Sequence, residues 1–95
     1  SCELLLGVAG TRYQERLDLS LVQVGDPVEF LAEPDNPHDR DAVAVIHAAG
    51  RLGYVNKVHC KVVKNSVKAK KINAFVAKKN GTQVRPLIYL LVECD

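Results

Sequence analysis

Tryptophan and methionine are absent from this sequence, and cysteine is scarce. The three cysteines (Cys2, Cys60 and Cys94) have no CxxC spacing, which excludes a zinc site and a disulfide framework. Cys2 and Cys94 come close only if the terminal strands pair, and a reduced, intracellular chain is expected. The lack of methionine fits either an initiator removed before Ser1 or a piece of a longer chain. No apolar run reaches membrane-spanning length and no signal peptide is visible, so no membrane partner is expected. No glycine loop of the phosphate-cradling kind is present, which argues against nucleotide hydrolysis. No GxSxG or Cys-His signature suggests nucleophilic catalysis. His59 and Cys60 adjoin on a predicted helix and point in different directions, and His59 reads as a partly buried structural histidine. The expectation is a non-enzyme with no cofactor.

Acid is missing from one half of the chain. Residues 42–92 hold no aspartate or glutamate but ten bases, whereas residues 1–41 hold nine acids and three arginines. The net charge of +2 hides this split. Such asymmetry suggests a polyanion partner, most often nucleic acid; the alternative is that the halves interleave and neutralise each other. Apolar residues make up 47% of the 95, enough for one small domain with a core, and disorder is not expected.

The densest feature is Glu33-Pro34-Asp35-Asn36-Pro37-His38-Asp39-Arg40-Asp41, followed at once by the strand-like Ala42-Val43-Ala44-Val45. Two prolines fix φ and push their predecessors away from helix. Asn36 and Asp39 can close a turn on nearby backbone. A rigid loop presenting Asn36, His38, Asp39 and Asp41 suits a binding site. The plainer alternative is a well-made turn with its carboxylates in solvent. Asp35, His38, Asp39 and Asp41 are metal-ligand types, but the EF-hand order and its turn glycine are missing, so no metal is expected.

Strands are expected at 3–8, 27–33, 42–47, 51–55, 72–79 and 83–94. Residues 14–25 fit neither period. Asn80-Gly81 signals a hairpin turn, and Pro86 implies an edge or a bulge in the last strand. Both faces of Leu87 to Val92 are apolar, which predicts burial on both sides. Phe30 and Tyr89 are assigned to the core. Residues 57–68 read as a helix capped by Asn56. Lys57, Lys61, Lys64 and Lys68 share one stripe, with Val58, Val62, Val63 and Val67 on the far side. That stripe either meets phosphates or is a solvated face. The whole is expected to be mainly β: a small OB-like or SH3-like, partly closed barrel of about six strands with one or two short helices. Tyr13 beside Arg12 is a candidate base-stacking platform, and Tyr54 after Gly53 is another.

Three ordered elements resemble the HIRAN domain family over essentially the whole chain, 1–95. They are Gly10-Thr11-Arg12-Tyr13, the Glu33 to Val45 stretch, and Gly53-Tyr54-Val55-Asn56-Lys57. The middle one is the specific one. The resemblance implies a modified OB-like barrel. Relatives occur at the N-terminus of Swi/Snf-type DNA translocases and as small bacterial or phage proteins. The best-understood members capture the free 3′-hydroxyl end of single-stranded DNA. Carried over, Arg12 would hold a phosphate or stack beside a base, and Tyr13 would stack on the terminal base. His38 stands in for a tyrosine, Asp39 would accept a hydrogen bond from the 3′-hydroxyl, and Lys57 would contact a phosphate. Asn36, Tyr54 and Lys61 complete the expected DNA-binding set. Gln14 replaces a second aromatic and Asp41 a common asparagine. The expected partner is a single-stranded DNA 3′ end, with a fused or associated helicase or nuclease as a further possibility. The alternative is a protein-interaction or targeting module on the same barrel, and a third reading is a metal-dependent nuclease at the aspartate loop. Localisation would be cytoplasmic in a prokaryote, or nuclear if the chain is part of a eukaryotic translocase.

Overall fold

The computed structural model describes residues 2–68 and 72–94, and the side chains of 3–65 and 73–93. Alternating apolar residues produce six strands: β1 (Cys2–Ala9), β2 (Glu29–Ala32), β3 (Val43–His47), β4 (Gly50–Val55), β5 (Ile72–Gly81) and β6 (Pro86–Cys94). One helix, α1 (Lys57–Lys68), separates β4 from β5. The strands form a single antiparallel sheet in the order β2-β3-β4-β1-β6-β5. Its two edges meet. The chain entering β2 runs along β5, where the Gly25 N–H donates to the Val76 carbonyl, Val76 N–H to Asp26, and Val28 N–H to Ala74. Pro27, which has no N–H to give, bridges Phe75 between these donors. The sheet therefore closes into a barrel, which removes the exposed edges an open sheet would carry.

Leu6, Val45, Leu52, Val76, Ile88, Leu90 and Val92 fill the interior as one cluster. Each such aliphatic side chain contributes about 1.5–3 kcal/mol by leaving water. The segment without a clear period, 14–25, is built from turns. A 3-10 turn at Leu19–Leu21 is capped by Asp18, whose carboxylate accepts from the Ser20 N–H and hydroxyl. Val22 enters the core, and Leu17 and Leu19 pack at its margin.

Several expectations are corrected. The β5–β6 hairpin forms, but its turn is the four-residue loop 82–85 rather than Asn80-Gly81. Strand pairing persists to Gly81 opposite Pro86, and Thr82 and Arg85 bond each other across the loop. Pro86 opens β6, where no ladder donor is missed, and β6 itself lies between β1 and β5. Only one face of β6 is fully buried. Ile88, Leu90 and Val92 point inward, while Leu87 is exposed and Tyr89 lies over Gly7 on the outer surface. Tyr89 is thus not a core residue, and Phe30 packs only at the core margin.

The helix spans the expected residues, and the Asn56 side chain accepts from the Val58 N–H as a cap. Its buried face differs. Cys60 and Val63 face the barrel, whereas Val58 and Val62 are exposed. Two residues of helix turn a side chain by about 200°, so both positions flanking Cys60 at that spacing must point away from it. The side chains of Val67, Lys68, Lys70 and Lys71 lie outside the described residues. So do the thiols of Cys2 and Cys94, although their Cα atoms are partners in the β1–β6 ladder. Among the described residues no helix is long and apolar enough to cross a membrane.

A polar pair between buried His47 and part-exposed Asp26 pins the barrel closure. His47 Nδ1 accepts from the Ala49 N–H at 2.9 Å, so Nε2 carries the proton it donates to Asp26 at 2.7 Å. The Asp26 carboxyl sits below its ordinary range because His47 and the Gln23 N–H donate to it. With both ring nitrogens occupied, His47 is a structural tie. His47→Leu leaves the Ala49 N–H orphaned. We expect a loss of about 1–3 kcal/mol in urea unfolding, since two part-buried hydrogen bonds are lost and one N–H is left without its acceptor.

Candidate nucleic-acid interface

The Glu33–Asp41 connector is a rigid turn, as its prolines and short polar residues suggested. The Asn36 N–H donates to the Glu33 carbonyl. Asn36 Oδ1 in turn accepts from the backbone N–H groups of His38 and Asp39 at 2.9 and 3.2 Å. Asp39 Oδ1 accepts from the Asp41 N–H, and the Ala42 N–H returns to the Asp39 carbonyl. Glu33 N–H then pairs with Ala42, joining the turn to the β2–β3 ladder. Asn36 is consumed by this work, because its Nδ2 also donates to Glu33 Oε1 at 3.1 Å. Asp39 is half-buried, and among the described residues its Oδ2 accepts nothing. His38 is exposed at the tip.

On one side of the turn stands a network that the sequence did not announce. Glu33 accepts from the Tyr54 hydroxyl at 2.9 Å and from Arg51 Nη1 at 3.2 Å. Arg51 Nε donates to Gln14 Oε1 at 2.9 Å, and its guanidinium lies 5.2 Å from the Tyr54 ring centre. Burial pushes the Glu33 carboxyl upward, but hydrogen bonds from Tyr54, Asn36 and Arg51 outweigh it and hold the group below its ordinary range. The Tyr54 phenol is raised by burial and by its bond to the Glu33 carboxylate. Glu33 of the second sequence element and Tyr54 of the third meet here, joined by Arg51 and by Gln14, the residue after the first element. Tyr54 is thus a half-buried strut rather than an open platform.

Tyr13 is the open one. The residue is 67% exposed, and the Arg12 guanidinium lies 4.7 Å from its ring centre. A groove of about 460 Å³ runs from Tyr13 past Gln14 and Leu17 to Gly50 and Arg51 at the start of β4. Thr11, two residues before Tyr13, is buried, and its hydroxyl has no hydrogen-bond partner among the described residues.

On the other side the turn faces α1. The Cys60 thiol is pushed up by burial and by the nearby Asp39 charge. Lys64 Nζ reaches Asp41 at 3.3 Å. The acidic and basic halves therefore interleave here and at Arg51–Glu33, which takes Lys64 out of the free stripe. Lys57 and Lys61 are exposed and carry no ion pair among the described residues. Among those residues no three His, Cys, Asp or Glu side chains converge as a metal site would require.

The chain matches the family model of the HIRAN domain over residues 3–89. It belongs to the HIRAN domain family. The barrel is similar to the crystal structure of the HIRAN domain of human HLTF, with a TM-score of 0.72 at 22% identity. That likeness covers 95% of this chain and 72% of the other. It is also similar to a protein from Lactobacillus plantarum, with a TM-score of 0.69 at 19% identity over 96% of this chain and 95% of that one. No curated protein sequence matches significantly. Membership of this family supports a DNA-binding module.

Sequence reasoning placed Arg12, Tyr13, Asn36, His38, Asp39, Tyr54, Lys57 and Lys61 in one set. In the structure Asn36, His38 and Asp39 sit on the turn, and Tyr54 is tied to it through Glu33. Tyr13 lines the groove with Arg12 over its ring, and Lys57 and Lys61 are carried by α1, whose Lys64 reaches Asp41. Glu33, Gln14 and Arg51 were missed as site residues. The one available signal was Gln14, an amide where an aromatic is common, which demands a polar partner.

Proposed function

We propose that this HIRAN domain binds single-stranded DNA at a free 3′-hydroxyl end. The observation that carries the reading is Asp39. Its turn is locked by Asn36, and its Oδ2 accepts no hydrogen bond among the described residues. The helix that carries exposed Lys57 and Lys61 reaches the turn through Lys64 and Asp41, and exposed Tyr13, under Arg12, shares a groove with Glu33. A carboxylate amid cations repels phosphate and accepts from a hydroxyl, so it selects a strand end and rejects a continuing strand. Tyr13 stacks the terminal base, and Arg12, Lys57 and Lys61 meet phosphates. His38 stacks where relatives carry a phenol. Asn36 and Tyr54 position the turn.

The test is fluorescence anisotropy of a 5′-labelled short strand ending in a 3′-hydroxyl or a 3′-phosphate. The hydroxyl form binds at least tenfold tighter, because a charge-assisted hydrogen bond of about 1.5–3 kcal/mol is at stake. Asp39→Asn removes the repulsion and brings the two ends within a few-fold of each other. Equal binding of both ends by the unaltered chain overturns end capture.

One observation favours a second reading, a protein-interaction module. Leu5 and Leu87 are exposed on the outer face of β1 and β6, beside Leu91. Binding through Lys57 and Lys61 weakens steeply with salt, whereas an apolar protein interface does not.

A further inference from the structure

We infer that the groove beside Tyr13 takes a nucleobase of the bound strand, and that Arg51 makes guanine the preferred base. This deepens the DNA-binding reading above and rests on it.

Arg51 is held still. Nε is fixed by Gln14, Nη1 by Glu33, and the guanidinium plane by Tyr54. Two of its five N–H groups are thereby used, and the side chain remains 44% exposed at the groove wall. A guanidinium whose orientation is already fixed loses little freedom when it reads a ligand.

The groove's charges decide between phosphate and base. Glu15 and Glu33 line it together with Arg16 and Arg51, so its formal charge cancels. A neutral groove containing two carboxylates does not attract phosphate. Its apolar lining, Leu17 and Ile46, and the Tyr13 ring suit the flat face of a heterocycle. Its volume of about 460 Å³ lies within the range of pockets that hold small ligands. Guanine is the base that offers two adjacent acceptors, N7 and O6, to an arginine fork.

Short 5′-labelled strands with a 3′-hydroxyl test this. They are identical except that one of the last four positions carries G, A, C or T. At one position guanine binds roughly tenfold tighter than the other bases. Replacing that guanine with 7-deazaguanine, which lacks the N7 acceptor, removes most of the gain without touching the protein. Arg51→Lys keeps the charge but loses the fork, and it flattens the preference while the salt slope and the 3′-hydroxyl preference persist. Equal binding of all four bases overturns the inference, as does a guanine preference that survives Arg51→Lys and 7-deazaguanine. A salt slope reduced in Arg51→Gln but not in Arg51→Lys would place Arg51 on a phosphate and overturn the base assignment. Failure of the unaltered chain to bind any strand refutes the DNA-binding reading itself.

Discussion

Gly53→Ala is expected to cost about 3–5 kcal/mol and to lower the melting temperature by roughly 20 °C. Gly53 lies in β4 opposite Val45, at φ 148, where side chains other than glycine's are strained. Space forbids the methyl as well. A Cβ at this position runs into the Ala9 carbonyl oxygen and stands 2.8 Å from Val8 Cγ1. Both obstacles belong to β1, whose pairing with β4 is confined to Val8–Val55 and Ala9–Tyr54. Relief therefore means prising the end of β1 from β4, and Gly10–Tyr13 moves with it. Gly25→Ala is the control. Gly25 has a φ of 95, but nothing lies within 4 Å of the added methyl, so only backbone strain of about 1–2 kcal/mol is expected. Parallel thermal melts separate the two terms. Similar losses in both variants would mean that φ, not the approach of β1, sets the requirement at Gly53.

The strands and the helix were legible because burial imposes its period directly on the residues. Leu4, Leu6 and Val8 alternate with Glu3, Leu5 and Gly7, and this chain obeys that alternation along β1. What failed were inferences in which two faces competed. Four valines and four lysines on α1 suggested a simple division, yet among the described side chains Val58 and Val62 point away from the barrel and Cys60 and Val63 face it. The small thiol marks that face better than the larger apolar residues do. The β5–β6 turn failed for a related reason. Asn80-Gly81 is a strong local signal, but cross-strand pairing extended to Gly81–Pro86 and moved the loop outward. Residues 14–25 could not be read because their order comes from the Asp18 cap and from contacts with β5, neither of which leaves a period in the sequence.

The site divides along the same line. The turn at Asn36 was legible, since the side-chain bonds that shape it all span two or three residues along the chain. The network behind it was not. Arg51 reaches a partner 37 residues away in Gln14 and one 18 away in Glu33. The strand order, which brings the end of β1 alongside β4 and β2 within two strands of it, makes those contacts possible. The charge split pointed to a polyanion partner, and the fold narrows it: Lys64 and Arg51 are engaged with acids, while Lys57 and Lys61 remain open.

Glu33→Ala should be the most damaging change at the site, although Glu33 is not expected to touch DNA. Its carboxylate is mostly buried and receives Tyr54, Asn36 and Arg51 together. Removing it leaves a phenol, an amide and a guanidinium without their acceptor, at a cost of about 2–3 kcal/mol. Tyr54→Phe, which deletes one donor and leaves no buried charge, should cost only about 1 kcal/mol. The pH dependence identifies the carboxylate as the cause. Glu33 titrates below the ordinary range in the folded chain, so its contribution is complete above that range. It is lost as pH falls through the folded value, because the unfolded chain then binds the proton first. Glu33→Ala should therefore flatten part of the acid limb of a stability–pH curve while lowering its neutral plateau. Strand binding should fall in the same variant even under conditions where it remains folded. Asn36 loses the bond that sets its amide, and the turn that presents Asp39 loosens with it. Full strand affinity in a folded Glu33→Ala protein would mean that Asn36 and the two prolines hold the turn without help, and that the network serves Arg51 alone.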